Sequence, residues 1–169
     1  MLWADFIYMV PPTLHYQDVG TRNQTLLREA ANQILLYRTI LQGKSTGLWQ
    51  HIADSRTDAE AWSTGNGWAV GGIARVLATI KHWSTSASWT TEQQVSIQYA
   101  KDIIDGVFNI GPELRLGLVR NYINIPSSIL EAAWTAMIAA NIYRLAVLAP
   151  TFLLMVSILS GQMLGESLW

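Results

Sequence analysis

Three short segments carry side chains whose types and spacing could do chemistry. The first is Trp3-Ala4-Asp5-Phe6-Ile7-Tyr8-Met9, an acid set among aromatic and apolar neighbours. Burial there disfavours the carboxylate and raises its pKa. A carboxylic acid that keeps its proton near neutral pH is a general acid. The alternative is that Asp5 caps a helix or sits at a frayed terminus. The second segment is Ser45-Thr46-Gly47-Leu48-Trp49-Gln50-His51. Here a glycine turn leads to an indole and then to a histidine able to bond a sugar hydroxyl or a carboxylate. The alternative is a half-exposed loop histidine. The third is Trp62-Ser63-Thr64-Gly65-Asn66-Gly67-Trp68, two indoles around a glycine-rich turn that runs into the apolar stretch Ala69 to Leu77. Indole faces suit stacking on sugar rings, and glycine lets a backbone approach a ligand closely. The alternative is a helix-entry turn with two core indoles.

Other chemistries find no support in the residues. No phosphate-binding glycine loop, dinucleotide fingerprint or serine-nucleophile elbow is present. No second histidine or acid stands at metal-ligand spacing from His51, so neither a metal nor a cofactor is expected. The chain of 169 residues has no cysteine, which excludes disulfides and thiolate sites without deciding the compartment. A net charge of −1 offers no basic stripe for a nucleic acid. Half of the residues are hydrophobic and 14% are charged, as a well-buried core requires, and eight are tryptophan. The start Met1-Leu2-Trp3-Ala4-Asp5 lacks a basic region and is not read as a signal peptide, so a cytoplasmic location or a missing true start is expected.

The elements that must position these side chains are helical. Met1 to Val10 reads as a short helix that Pro11-Pro12 interrupts. Asn23 to Gln42 is amphipathic, with Leu27, Ala30, Ala31, Ile34, Leu35, Ile40 and Leu41 at helical spacing, Asn23 as N-cap and Gly43 as stop. Lys44 to Ser63 reads as loop with an extended piece at Leu48 to Ile52, and Gly67 to His82 as the next helix. Thr91-Glu92-Gln93-Gln94 resembles a capping box opening a helix to Asn109, before a break at Gly111-Pro112. Leu114 to Pro126 is irregular. Ser128-Ile129-Leu130-Glu131 is a second capping-box pattern, opening a helix to Leu148. No alternating run is long enough for a sheet, and the expected class is all-α, an array of helical hairpins. Residues 151–169 form an apolar tail outside the 1–150 domain. Arg144, Asn141 and Pro150 interrupt the roughly 20 apolar residues that a membrane span needs, so a span is not expected.

Taken in order, the three segments resemble the unsaturated glucuronyl and rhamnogalacturonyl hydrolases of glycoside hydrolase families 88 and 105. The matching residues are Trp3, Asp5, Tyr8 and Met9; Gly47, Leu48, Trp49 and His51; and Trp62, Gly65, Asn66, Gly67 and Trp68. Ala69 to Thr79 has a fungal-type look, and the likeness extends to Pro150. It implies a partial (α/α)6 barrel of six hairpins, roughly the C-terminal half. It also implies hydration of the C4–C5 double bond of an unsaturated uronic acid at the end of an oligosaccharide. Asp5 would be the general acid and base. Trp3, His51, Trp62, Thr64, Asn66 and Trp68 would contact substrate. Thr64 stands where the family pattern has arginine, and a hydroxyl cannot grip a carboxylate with two parallel bonds as a guanidinium does. A chain of this length within that fold is expected to expose apolar hairpin flanks and to self-associate through them. Two other readings stay open: a sugar-binding remnant without turnover, and a membrane-associated helical protein.

Overall fold

The computed structural model describes residues 1–22, 24–54, 57–113 and 115–152. Five helices dominate it: α1 (Phe6–Thr21), α2 (Gln24–Leu41), α3 (Ser63–His82), α4 (Thr90–Ile110) and α5 (Ala132–Leu148). Four two-residue strands pair in two antiparallel ladders, β1 (Leu2–Trp3) with β2 (Ile52–Ala53) and β3 (Val119–Arg120) with β4 (Leu130–Glu131). α1, α3 and α5 form a row with α3 in the middle, α2 packing on α1 and α4 on α3. The all-α expectation holds, with the ladders confined to the connections.

The amphipathic stripe of α2 does what its spacing predicts: Leu27, Ala30, Ile34 and Leu41 are buried. Leu35 and Ile40, counted with that stripe, are instead exposed. α2 is fastened to α4 by Arg38, which pairs with Asp102 at 2.8 Å and lies over the Tyr99 ring. Phe6 stacks on Tyr37 across the first hairpin with ring centroids 4.2 Å apart. Asn23, the expected N-cap of α2, lies outside the described residues.

Three boundaries differ from the sequence reading. First, α1 does not stop at Pro11-Pro12 but runs through both, and both rings are buried. The prolines cannot donate to the carbonyls of Ile7 and Tyr8. The Tyr8 carbonyl accepts instead from Arg75 Nη1 of α3 at 3.3 Å. The Ile7 carbonyl is covered by Gly72, where a Cβ would stand 2.0 Å from its oxygen. The neighbouring helix thus repairs the break, and no local rule could anticipate it. Second, α3 begins at Ser63 rather than Gly67, so the glycine-rich segment is its first turns and not a loop. Third, neither capping-box pattern works as read. α4 starts at Thr90 without a side-chain cap. In the other segment Glu131 is itself the N-cap of α5, accepting from the Ala133 and Trp134 amides, while Ser128 Oγ accepts from the Tyr122 amide.

The core runs through all five helices, with Leu27, Ile73, Leu77, Ile103, Trp134 and Leu145 fully buried. Phe152, assigned by the sequence to the apolar tail, is also fully buried. Residues 153–169 of that tail lie outside the described residues. Among the described residues no helix is long and apolar enough to cross a membrane.

Candidate active site

The connections at the N-terminal ends of α1, α3 and α5 are laced to one another by main-chain bonds. β1 pairs with β2 in the register Leu2 to Ala53 and Trp3 to Ile52, and the Ala4 amide donates to the His51 carbonyl at 3.1 Å. The His51 amide in turn donates to the Glu60 carbonyl at 2.9 Å, and Ile52 bridges Asp58. The Ser63 amide donates to the Asn121 carbonyl, and the Ile123 amide to the Ala61 carbonyl. Four stretches, 2–4, 51–53, 58–63 and 121–123, therefore lie side by side, and side chains of the three segments meet on them.

His51 is the centre of the group. Its ring centroid lies 4.5 Å from that of Trp62 and 6.0 Å from that of Trp3, the latter edge-on. Trp62 is held by its indole N–H, which donates to Asn121 Oδ1 at 3.1 Å. Trp3 is 45% exposed, which leaves a face open for contact. Asp5 immediately precedes α1, with helical backbone angles and no side-chain cap bond, so the capping alternative fails. Its Oδ1 is buried without a hydrogen-bond partner. That oxygen lies against the first turn of α3, within 3.4 Å of where a Cβ on Gly65 would be. Burial raises the Asp5 pKa above the ordinary carboxylate value, while the charge of His51 and a backbone hydrogen bond pull the other way.

Trp68 and Thr64 are one helical turn apart on α3, and both are half-buried. The Trp68 ring packs on Tyr8, with centroids 4.4 Å apart, one turn further along α1 from Asp5. Asn66 differs from expectation. It is fully buried, and its amide group holds the second segment in place. Oδ1 accepts from the Trp49 amide at 2.8 Å, while Nδ2 donates to the Trp49 and Trp62 carbonyls. With both ends bonded inside the core, Asn66 positions the His51 strand rather than touching a ligand. The glycines differ in the same way. A Cβ on Gly67 would stand 2.3 Å from the Trp134 ring of α5, so this glycine admits a neighbouring helix, not a substrate.

Two residues that the sequence reading did not single out complete the group. His51 Nδ1 lies 3.0 Å from Asp58 Oδ2, and the Tyr122 hydroxyl donates to that same oxygen at 2.7 Å. The Glu60 amide donates to Asp58 Oδ1 at 3.2 Å. Burial alone would raise the Asp58 pKa, but the bonds from Tyr122, His51 and the Glu60 amide outweigh it and the net shift is downward. The bond to Asp58, with burial and the nearby charge of Glu60, pushes the Tyr122 phenol up to about 12. Asp58 and Tyr122 are 64 residues apart in segments that read as irregular, and no spacing in the sequence links them.

The profile of Glycosyl Hydrolase Family 88 matches residues 1–148. Among solved structures, a possible member of family 105 from Salmonella enterica is 25% identical, with a TM-score of 0.72 over 86% of this chain and 38% of that one. A family 105 glycoside hydrolase from C. acetobutylicum is 15% identical, with a TM-score of 0.72 over 87% of this chain and 43% of that one. A family 88 glycosyl hydrolase from Bacteroides vulgatus is 18% identical, with a TM-score of 0.68 over 85% and 42%. No curated protein matches the chain. The chain spans about two-fifths of the length of these solved structures, and its helices correspond to part of the six-hairpin glycosidase fold.

Proposed function

Because this chain belongs to glycosyl hydrolase family 88, we propose that the face built by Trp3, Asp5, His51 and Trp62 hydrates the C4–C5 double bond of an unsaturated uronic acid at the end of an oligosaccharide. One observation carries the reading. A carboxyl group with a raised pKa and a buried oxygen lacking a partner stands beside a histidine that is flanked by two indoles. In this reading Asp5 gives its proton to one alkene carbon. It then takes a proton from the water whose oxygen adds to the other carbon. The resulting hemiketal opens and the aglycone leaves, with no covalent bond between sugar and protein, unlike the usual retaining route.

The environment of Asp5 suits the first step. An acid that holds its proton above the usual carboxylate range is available as a donor in weakly acidic solution. Trp3, with an open indole face, and Trp62, fixed by Asn121, supply walls against which a sugar ring packs. Trp68, beside Tyr8, extends that wall along α3. Thr64 lies on the same turn as the site and offers a hydroxyl where the family pattern has a guanidinium, so the uronate carboxylate is held there by a single bond rather than by a two-pronged one. The test is the decay of the alkene ultraviolet absorbance when an unsaturated uronide disaccharide is added. Decay that disappears in Asp5→Asn is expected. Equal decay in wild type and Asp5→Asn, or none in wild type, overturns the reading.

A further inference from the structure

Asp58 accepts hydrogen bonds from three directions, and this constrains the proton on His51. Oδ2 takes the Tyr122 hydroxyl at 2.7 Å and faces His51 Nδ1 at 3.0 Å, while Oδ1 takes the Glu60 amide at 3.2 Å. A phenol and an amide N–H both donate, so the carboxylate is the acceptor throughout and carries no proton of its own. The close Nδ1 must then be a donor as well. Among the described residues His51 Nε2 meets no hydrogen-bond partner. The ring lies against Trp62 at 4.5 Å and Trp3 at 6.0 Å between centroids, and turning it over would replace Nδ1 with a carbon and lose the contact to Asp58.

We propose that Asp58 and Tyr122 are positioning residues that hold neutral His51 as the Nδ1–H tautomer and leave an unprotonated Nε2 to accept a hydroxyl proton of the sugar. The proposal rests on the reading that this face takes the uronide, and it adds how the histidine is set. Tyr122 turns Asp58 Oδ2 toward the ring. Asp58 fixes the ring through its Nδ1 proton, the arrangement by which a carboxylate behind a histidine selects a tautomer. The titratable groups around the ring are Asp5 before α1, Asp58 and Glu60 in the stretch leading to α3, and Tyr122 after β3.

The tautomer is read by long-range proton–nitrogen correlation spectra of the full chain labelled at its histidines, recorded above the imidazole titration. Wild type shows His51 as Nδ1–H. Asp58→Asn, which presents an amide in place of an obligate acceptor, moves it toward Nε2–H, and Asp58→Glu restores Nδ1–H in part. With an unsaturated uronide disaccharide, Asp58→Asn lowers kcat/KM at least about tenfold, the loss expected when a charged hydrogen bond is removed, and Asp58→Glu recovers part of that loss. An unchanged tautomer in a folded Asp58→Asn overturns the proposal. Should that variant not fold, the wild type decides: an Nε2–H tautomer overturns it and Nδ1–H upholds it. Nδ1–H without turnover overturns the function while leaving the positioning intact, and turnover with Nε2–H does the reverse.

Discussion

Just before α1 sits Asp5, half-buried with one oxygen sealed, and further along α1 sits fully buried His15, each pushed toward its uncharged form. Burial raises the Asp5 pKa, and burial followed by the charge of Arg75 lowers His15 to about 4. The surroundings differ. His15 is fully buried, with Nδ1 2.5 Å from Thr79 Oγ1 and Nε2 sealed without a partner. Next to it, Asp18 Oδ2 accepts the Leu27 amide at 3.0 Å and so ties the first turn of α2 back to α1. Asp5 stands instead at the laced connections, beside His51 and the open face of Trp3. The same physical penalty serves packing at one end. At the other it leaves a carboxyl group beside His51 and the half-open Trp3, the group that the proposed reaction uses as its acid. Desolvation alone is therefore a poor marker of function, and what distinguishes Asp5 is the ring of groups around it.

The strongest way to break this contrast is at Asp5. Asp5→Asn is expected to lower turnover of an unsaturated uronide by about 10²–10⁴-fold, the contribution of a positioned general acid. It should not lower the melting temperature at neutral pH. A group whose folded pKa is raised contributes stability that is present below its unfolded pKa and lost as pH rises through the folded pKa, and asparagine removes that pH-dependent loss. A large fall in melting temperature would place Asp5 with His15 as a packing group.

Gly72→Ala tests the crossing that joins the two ends. A methyl group 2.0 Å from the Ile7 oxygen must push α1 from α3, at a cost of about 3 kcal/mol in denaturant unfolding. Wild-type stability in this variant would show that α1 is free to shift, and with it Asp5.

His15 gives the pH-dependent half of the comparison. Its folded pKa of about 4 lies below the ordinary 6.5, so the unfolded chain binds the extra proton between those values. Stability is intact above about pH 6.5 and falls toward pH 4, by an amount on the order of 3 kcal/mol. His15→Leu should flatten that dependence in urea titrations across the window while leaving the activity of folded protein unchanged. An equally steep dependence in His15→Leu would assign it to other groups.

The smallest effect is expected at Thr64. Thr64→Arg supplies the planar fork that binds a carboxylate and should lower KM for an unsaturated uronide by about tenfold, near 1.4 kcal/mol of binding. An unchanged KM would mean that the α3 turn aims the guanidinium away from the carboxylate.

How much was legible beforehand depended on whether the signal was local. The α2 stripe at Leu27, Ala30, Ile34 and Leu41 and the end of α5 at Leu148 follow from side-chain periodicity, and the structure keeps them, whereas Leu35 and Ile40 face out. Asp5, His51 and Trp62 were recognisable as chemistry-bearing types in short segments, and the structure brings them together. Asn66 was visible as part of a motif but misread, because only its packing shows both ends of the amide occupied by Trp49 and Trp62. Asp58 and Tyr122 carried no signal, since their meaning arises from a contact across 64 residues.

Residue type and spacing by themselves determined that this chain is helical, that its apolar stripes form a core, and that an acid, a histidine and paired indoles are available for sugar chemistry. Those properties are written in near neighbours along the chain, where helical period and side-chain chemistry act directly. Tertiary structure alone decided that α1 survives two prolines, because Arg75 takes the carbonyl that Pro12 cannot serve. It alone decided that Gly67 opens space for Trp134 and that Asp58 stands behind His51. Each of these depends on an atom from a distant segment filling a hydrogen bond or a volume, a condition that exists only once the helices have packed.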